Sequence, residues 1–188
     1  NNFAVEHLLE KSLEKAIDEH LKLLDSFEDN KAGENFFDFK VADIAMGSGN
    51  FLLAAVDRIG SRFSIYLSKR NLPLVSKELD HLRKSANESL DKAVSSYPKI
   101  SDNILLRRQI ARRCIYGVDN NEIAVQLARI ALWIHTFVPG LPLSLLERNL
   151  VHGDSIVGVA NLSEFEDKLK KDGGENFFSI YIQDYIVS

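Results

Sequence analysis

Three short clusters in the 188-residue chain hold carboxylates, two of them beside glycines. They are Asp43-Ile-Ala-Met-Gly47-Ser48-Gly49-Asn50-Phe51, Asp119-Asn120-Asn121-Glu122 and Gly153-Asp154-Ser155. Glycines let a backbone approach a ligand closely and take positive φ, and the free amides at a helix start favour a carboxylate or phosphate. The first cluster has the parts of a ligand cradle, although Gly-x-Gly alone serves equally as a tight turn between strand and helix. A dinucleotide-binding turn needs a third glycine where this chain has Leu52. No glycine is followed by lysine and a hydroxyl residue, which excludes a Walker loop.

The remaining polar candidates are less distinctive. Asp119 taken alone also fits a helix-capping carboxylate, and Gly153-Asp154-Ser155 a plain turn. Arg107, Arg108, Arg112 and Arg113 could touch phosphates, but arginines near a helix end are commonly solvated and favoured by the dipole. His7, His20, His81, His135 and His152 have no ligand spacing with Cys114 or with one another, so no metal is expected.

These clusters need elements to position them. Apolar residues recur at three- and four-residue steps from Val5 to Leu24, which predicts an amphipathic opening helix. After a polar segment, Ser26 to Glu34, the run Phe36, Phe37, Phe39, Val41 and Ile44 predicts a first strand. Asn50 to Ile59 predicts a helix behind the glycine turn. From Ser61 to Arg113 the pattern is charged, helix-period and broken around Pro73 and Pro98, the signature of a helical insertion without a strand. Cys114 to Val118 predicts the second strand, and Glu122 to about Phe137 a helix so apolar all round that deep burial is expected. Pro139 to Pro142 marks a loop and Leu150 to His152 a third strand. Further on, a helix over Ser163 to Lys171, a turn at Gly173-Gly174 and a strand over Phe177 to Ile182 are expected. Strands alternating with helices predict an α/β fold with a parallel, doubly wound sheet.

Against these elements the motifs resemble a known family. DIAMGSGNFLLAA is similar to motif I of adenine-specific DNA methyltransferases, D-P-A-C-G-S-G-N-F-L. Asp43, Ala45, Gly47, Ser48, Gly49, Asn50, Phe51 and Leu52 match, while Ile44 and Met46 replace proline and cysteine. IYGVDNNEIAVQLARIALWI resembles the family's I-Y-G-V-D-I-N-P-x-A-V-x-L-A-K-x-x-L-W-L, and NLVHGDSI its N-L-x-x-G-D-S-L. The resemblance implies a Rossmann-like S-adenosylmethionine-dependent methyltransferase fold with a helical insertion, as in large fused restriction-modification and phage-exclusion enzymes. It implies S-adenosylmethionine held by Asp43, Gly47, Gly49, Asn50, Asp119 and Asp154, with Ala45, Ser48 and Phe51 completing the loop. Asp119 would accept from the ribose hydroxyls, Asn120 would flank the adenine, and Asp154 would meet the adenine's exocyclic amine.

The family's N-P-P-[YF], which grips the target amine, and its FYTP element are absent from this sequence. The expectation is therefore the cofactor-binding part of a longer enzyme, inactive alone, with its catalytic residues unassigned. The parts expected of this one partial domain are a helix (1–25), motif I (36–60), the insertion (61–113), the second and third strands (114–158) and a tail (159–188). The start at Asn1-Asn2, directly in a helix-like pattern, fits a piece of a longer chain.

Composition constrains the partners. A formal net charge of -4 carries no basic footprint, so contact with DNA is expected to be local or to come through the full-length protein, with restriction or specificity domains as further partners. The stretch Ile123 to Leu146 is interrupted by Gln126, Arg129, His135, Pro139 and Pro142 and fails as a membrane span. The single Cys114 cannot form an internal disulfide, which fits a cytoplasmic protein. Two other readings share these residues: methylation of RNA or protein, and a non-catalytic scaffold of a defence complex.

Overall fold

The computed structural model describes residues 7, 9–91, 100–142, 146 and 148–155. The chain divides into two compact units, Asn1–Gly153 and Asp154–Ser188. Of the second unit only Asp154 and Ser155 are described, both exposed. The helix, turn and strand expected between Ser163 and Ile182 lie outside the described residues.

The first unit is α/β. Its described elements run α1 (Glu14–Asp25), α2 (Asp29–Asn35), β1 (Val41–Asp43), α3 (Asn50–Lys69), α4 (Pro73–Asp91), α5 (Asp102–Arg113), β2 (Ile115–Asp119), α6 (Glu122–His135) and β3 (Leu150–His152). The strands form an open parallel sheet in the order β1-β2-β3. Val41 aligns with Ile115, Asp43 with Gly117, Gly117 with Leu150 and Asp119 with His152. In a parallel sheet every strand ends on the same edge, so Asp43, Asp119 and His152 are brought side by side although they lie far apart in sequence. Among the described residues no helix is long and apolar enough to cross a membrane.

The opening helix is present over its described part, with Leu9, Leu13, Ile17 and Leu24 buried. Arg58 of α3 pairs with Glu14 at 2.7 Å, and Arg62 reaches both Glu14 and Asp18, which fixes α1 along α3. Arg70, at the end of α3, donates to the carbonyls of Leu24 at 2.8 Å and Phe27 at 2.6 Å and to Asp29 at 2.8 Å. One guanidinium thus ties the end of α1 and the turn after it to the end of α3.

The first strand is shorter than predicted. The predicted strand over Phe36 to Ile44 narrows to Val41–Asp43, and the polar segment before it holds the short helix α2. Phe36, Phe37 and Phe39 are buried for another reason: they build an aromatic cluster with Phe63 and Tyr66 of α3. Phe36 lies 5.0 Å from Phe37, edge to face, and 4.6 Å from Phe63. His20 of α1 stacks over Phe63 and sits 3.2 Å from the Phe36 carbonyl, and burial lowers its pKa. Aromatic and β-branched runs have strand character wherever they are buried, and here packing rather than pairing uses it.

The segment expected as an insertion holds helices and no strand among its described residues, but α3 continues unbroken past Ser61 to Lys69. The break expected around Pro73 is present between α3 and α4, and Pro73 begins α4, where its missing amide is no loss; Pro98 lies outside the described residues. The arginines of α5 separate by partner. Arg107 pairs with Asp57 at 3.3 Å and Arg113 with Glu78 at 3.3 Å. Arg108 is buried and donates to the Pro142 carbonyl. Arg112 is exposed in the last turn of the helix, with its own carbonyl accepting from Asn149 at 2.9 Å. Cys114 is fully buried ahead of β2, and burial pushes its thiol up to about 12.

The deep burial expected of α6 is corrected by the structure. Val125, Ala128 and Leu132 are buried, whereas Ile123 is 71% and Ile134 63% exposed. The helix packs one face on the sheet and α3, and no described element covers the other. Because Phe36 carries the aromatic cluster, Phe36→Ala is expected to lower stability by about 3–5 kcal/mol, read as a fall in the urea midpoint. Phe36→Leu, which keeps most of the volume, should lose clearly less.

Candidate cofactor site

The connection from β1 to α3 folds over the carboxyl edge of the sheet. Asp43 opens it by accepting from the Ala45 amide at 3.1 Å. The Met46 amide then donates to the Val118 carbonyl at 3.1 Å, carrying the loop across onto β2. Gly47 (φ +54) and Gly49 (φ +84) take the left-handed conformation that side chains disfavour. The two glycines differ in surroundings. A Cβ on Gly49 would meet Ala128 of α6 at 3.1 Å, so this glycine permits close packing, whereas a Cβ on Gly47 would meet nothing within 4 Å. The space over Gly47 is open.

Asp119 ties the edge together. Its Oδ2 accepts from the Gly47 amide at 2.8 Å and its Oδ1 from the Asn121 amide at 2.9 Å. Its backbone carbonyl accepts from the Gly153 amide at 2.9 Å, which joins the end of β3 to the same point. The amides of Asn121 and Gly47 hold its carboxyl below the ordinary carboxylate range, opposed by slight burial, with His152 adding a favourable charge. His152 Nε2 lies 2.9 Å from the Asn120 carbonyl.

The two helix starts on this edge are built differently. Asn121 caps α6, its Oδ1 accepting from Ile123 at 3.0 Å and Ala124 at 3.3 Å. At α3 the cap position is Gly49, and no side chain caps it. A 20-residue helix therefore points an uncapped N-terminus at the glycine loop. First-turn amides and the helix dipole favour an anionic group there.

Asp43, Ala45, Gly47, Gly49, Asp119 and Asn120 are brought together along one edge. Ser48 is exposed in the loop, and Asn50 is exposed at the first position of α3. Phe51 is half-buried and packs on the core, so it supports the loop from beneath. Asp154 belongs to the second unit and is exposed. Among the described residues no group of three or more His, Cys, Asp or Glu side chains is placed to hold a metal ion.

Sequence reasoning missed three supports of this edge. The sequence offers His152 only as a metal-ligand candidate without ligand spacing, and it does not single out Asn121 as the cap of α6. The third support is Gly117, inside β2: a Cβ there would run into Met46 Sδ and come within 3.0 Å of Leu52 and 3.1 Å of Leu150. Met46 is buried directly against this gap. A glycine inside a strand is the available signal, since it often marks a close approach.

Two outcomes follow from this geometry. Gly117→Ala is expected to cost about 1–3 kcal/mol by overpacking, and pairing it with Met46→Ala should lose less than the two separate losses together, read by urea denaturation. Strict additivity would contradict the contact. For Asp119, a lowered folded pKa means a stabilising contribution present above its ordinary 3.8 and lost as pH falls through the folded value. The stability difference between the native chain and Asp119→Asn should therefore be level above about pH 5 and shrink in more acidic solution.

The chain matches no protein-family model, no curated protein and no solved structure.

Proposed function

We propose that this chain is the S-adenosylmethionine-binding part of a Rossmann-like methyltransferase whose acceptor is the exocyclic amine of adenine in DNA. The observation that carries the reading is the bond between Gly47 and Asp119. It unites the glycine loop and the second-strand carboxylate, the two most distinctive motifs, at one open edge. The acceptor follows from the motif resemblance, which favours DNA adenine over RNA or protein.

The residues present fit the cofactor. Its carboxylate matches the uncapped start of α3 beyond Gly49. An ionised carboxylate offers roughly four acceptor sites, and the amides of Gly47 and Asn121 use two of those on Asp119, leaving capacity for a ribose diol. Asp119, whose pKa is lowered from an already acidic value, is ionised and accepting at neutral pH. Open space over Gly47 lets a ligand approach the backbone. When bound, the cofactor supplies an electrophilic methyl group on a sulfonium. The chain's own residues bind and orient; without N-P-P-[YF] they hold no group assigned to grip the target amine.

Calorimetric titration of the chain with S-adenosylmethionine and S-adenosylhomocysteine tests this reading. Binding is expected, and Asp119→Ala should weaken it roughly 10- to 100-fold, the range for hydrogen bonds to a charged group. Circular dichroism would confirm that the variant is folded. A folded native chain that binds neither compound, or an Asp119→Ala variant that binds equally well, would overturn it.

A further inference from the structure

Among the described residues, the outer face of α6 is an apolar surface left uncovered. Ile123, Leu127, Ile130, Ile134 and Phe137 are 71%, 52%, 51%, 63% and 48% exposed. The first four follow one another at steps of four, three and four along one helical seam, and Phe137 continues it just past the cap of α6 at Thr136. Phe137 is held edge-on by Trp133 at 5.9 Å, so the end of the seam is an ordered aromatic anchor.

No charge interrupts this face. The charged or ionisable residues of α6 are Glu122, Arg129 and His135. Arg129 turns inward to the Leu150 carbonyl at 2.6 Å, and His135 is tied to Asp57 at 3.0 Å. Glu122 lies in the first turn, beyond the seam's first residue. A membrane surface is a poor match, because interfacial helices flank their apolar face with Lys and Arg, and α6 has no lysine and one arginine already engaged.

We propose that this seam is the contact surface for a second copy of the chain, packed antiparallel about a two-fold axis at Ile130. Five half-exposed side chains present roughly 500 Å² of continuous apolar surface, at the upper end of what a monomer leaves in water. Two such faces bury about 1,000 Å² together, the size at which specific association begins. The antiparallel fit sets Ile123 against Phe137 of the second copy and Leu127 against Ile134, with Ile130 meeting itself. An uncharged seam meets its own copy without repulsion, and the helix dipoles oppose one another favourably.

Sedimentation equilibrium of the full 188-residue chain up to about 100 μM, the weak end of specific association, tests the proposal. A dimer is expected. Ile130→Glu should weaken it at least a hundredfold by placing two like charges on the axis, and Ile130→Lys should do the same. Because Ile130 is exposed, both variants should keep the native circular dichroism spectrum. An equimolar mixture of the two should restore the dimer, since opposite charges then meet. A native chain that is monomeric throughout, a dimer indifferent to Ile130→Glu, or a charge-swapped mixture that stays monomeric would each overturn it. None of these readings involves the cofactor, so the dimer and the methyltransferase reading stand or fall separately.

Discussion

The hydrogen bond from the Gly47 amide to the Asp119 carboxylate is the constraint on which the candidate site depends. Two left-handed glycines make a loop that is easy to bend and therefore entropically expensive to hold in one shape. Asp119 limits that freedom from a strand. The same residue receives Asn121 on its other carboxylate oxygen and Gly153 on its backbone carbonyl. Three segments that follow three different strands are thereby referred to one residue, two of them through its carboxylate. Remove its charge and the glycine loop and the start of α6 lose their common reference, while the backbone bond to Gly153 and the sheet beneath remain.

The sheet supplies the other half of the arrangement. β2 is central, and its parallel pairing with β1 and β3 determines which residues meet at the edge before any side chain acts. Register places Asp43 across from Gly117, and Asp119 across from His152. The loop then only has to cross from one strand to the next, which the Met46 bond to Val118 accomplishes.

The sequence was most legible where one local rule decides the outcome. β2 and α6 were readable because Cys114 to Val118 is a short apolar run and Glu122 starts a long helical period; the glycine turn was readable from its spacing. The failures were tertiary. Phe36, Phe37 and Phe39 look like a strand, yet they are buried against Phe63 and Tyr66, and residue types alone do not separate pairing from packing. The burial of α6 was overstated because an apolar residue records an affinity for cover, not which element provides it. The four arginines of α5 were indistinguishable as residues. Only their neighbours separate Arg107 at Asp57 from Arg108 under Pro142.

The contact between Met46 and Gly117 also bears on how the chain can change. With no side chain at 117, position 46 is free to hold a bulky thioether, which fills the gap above β2. Once it is filled, the glycine can no longer be exchanged on its own. Substitution at the two positions is conditional: 46 must shrink before 117 can grow. The pair should covary among descendants of this sequence, with methionine at 46 accompanied by glycine at 117. The size of one residue in a loop thus becomes a standing restriction on a neighbouring strand.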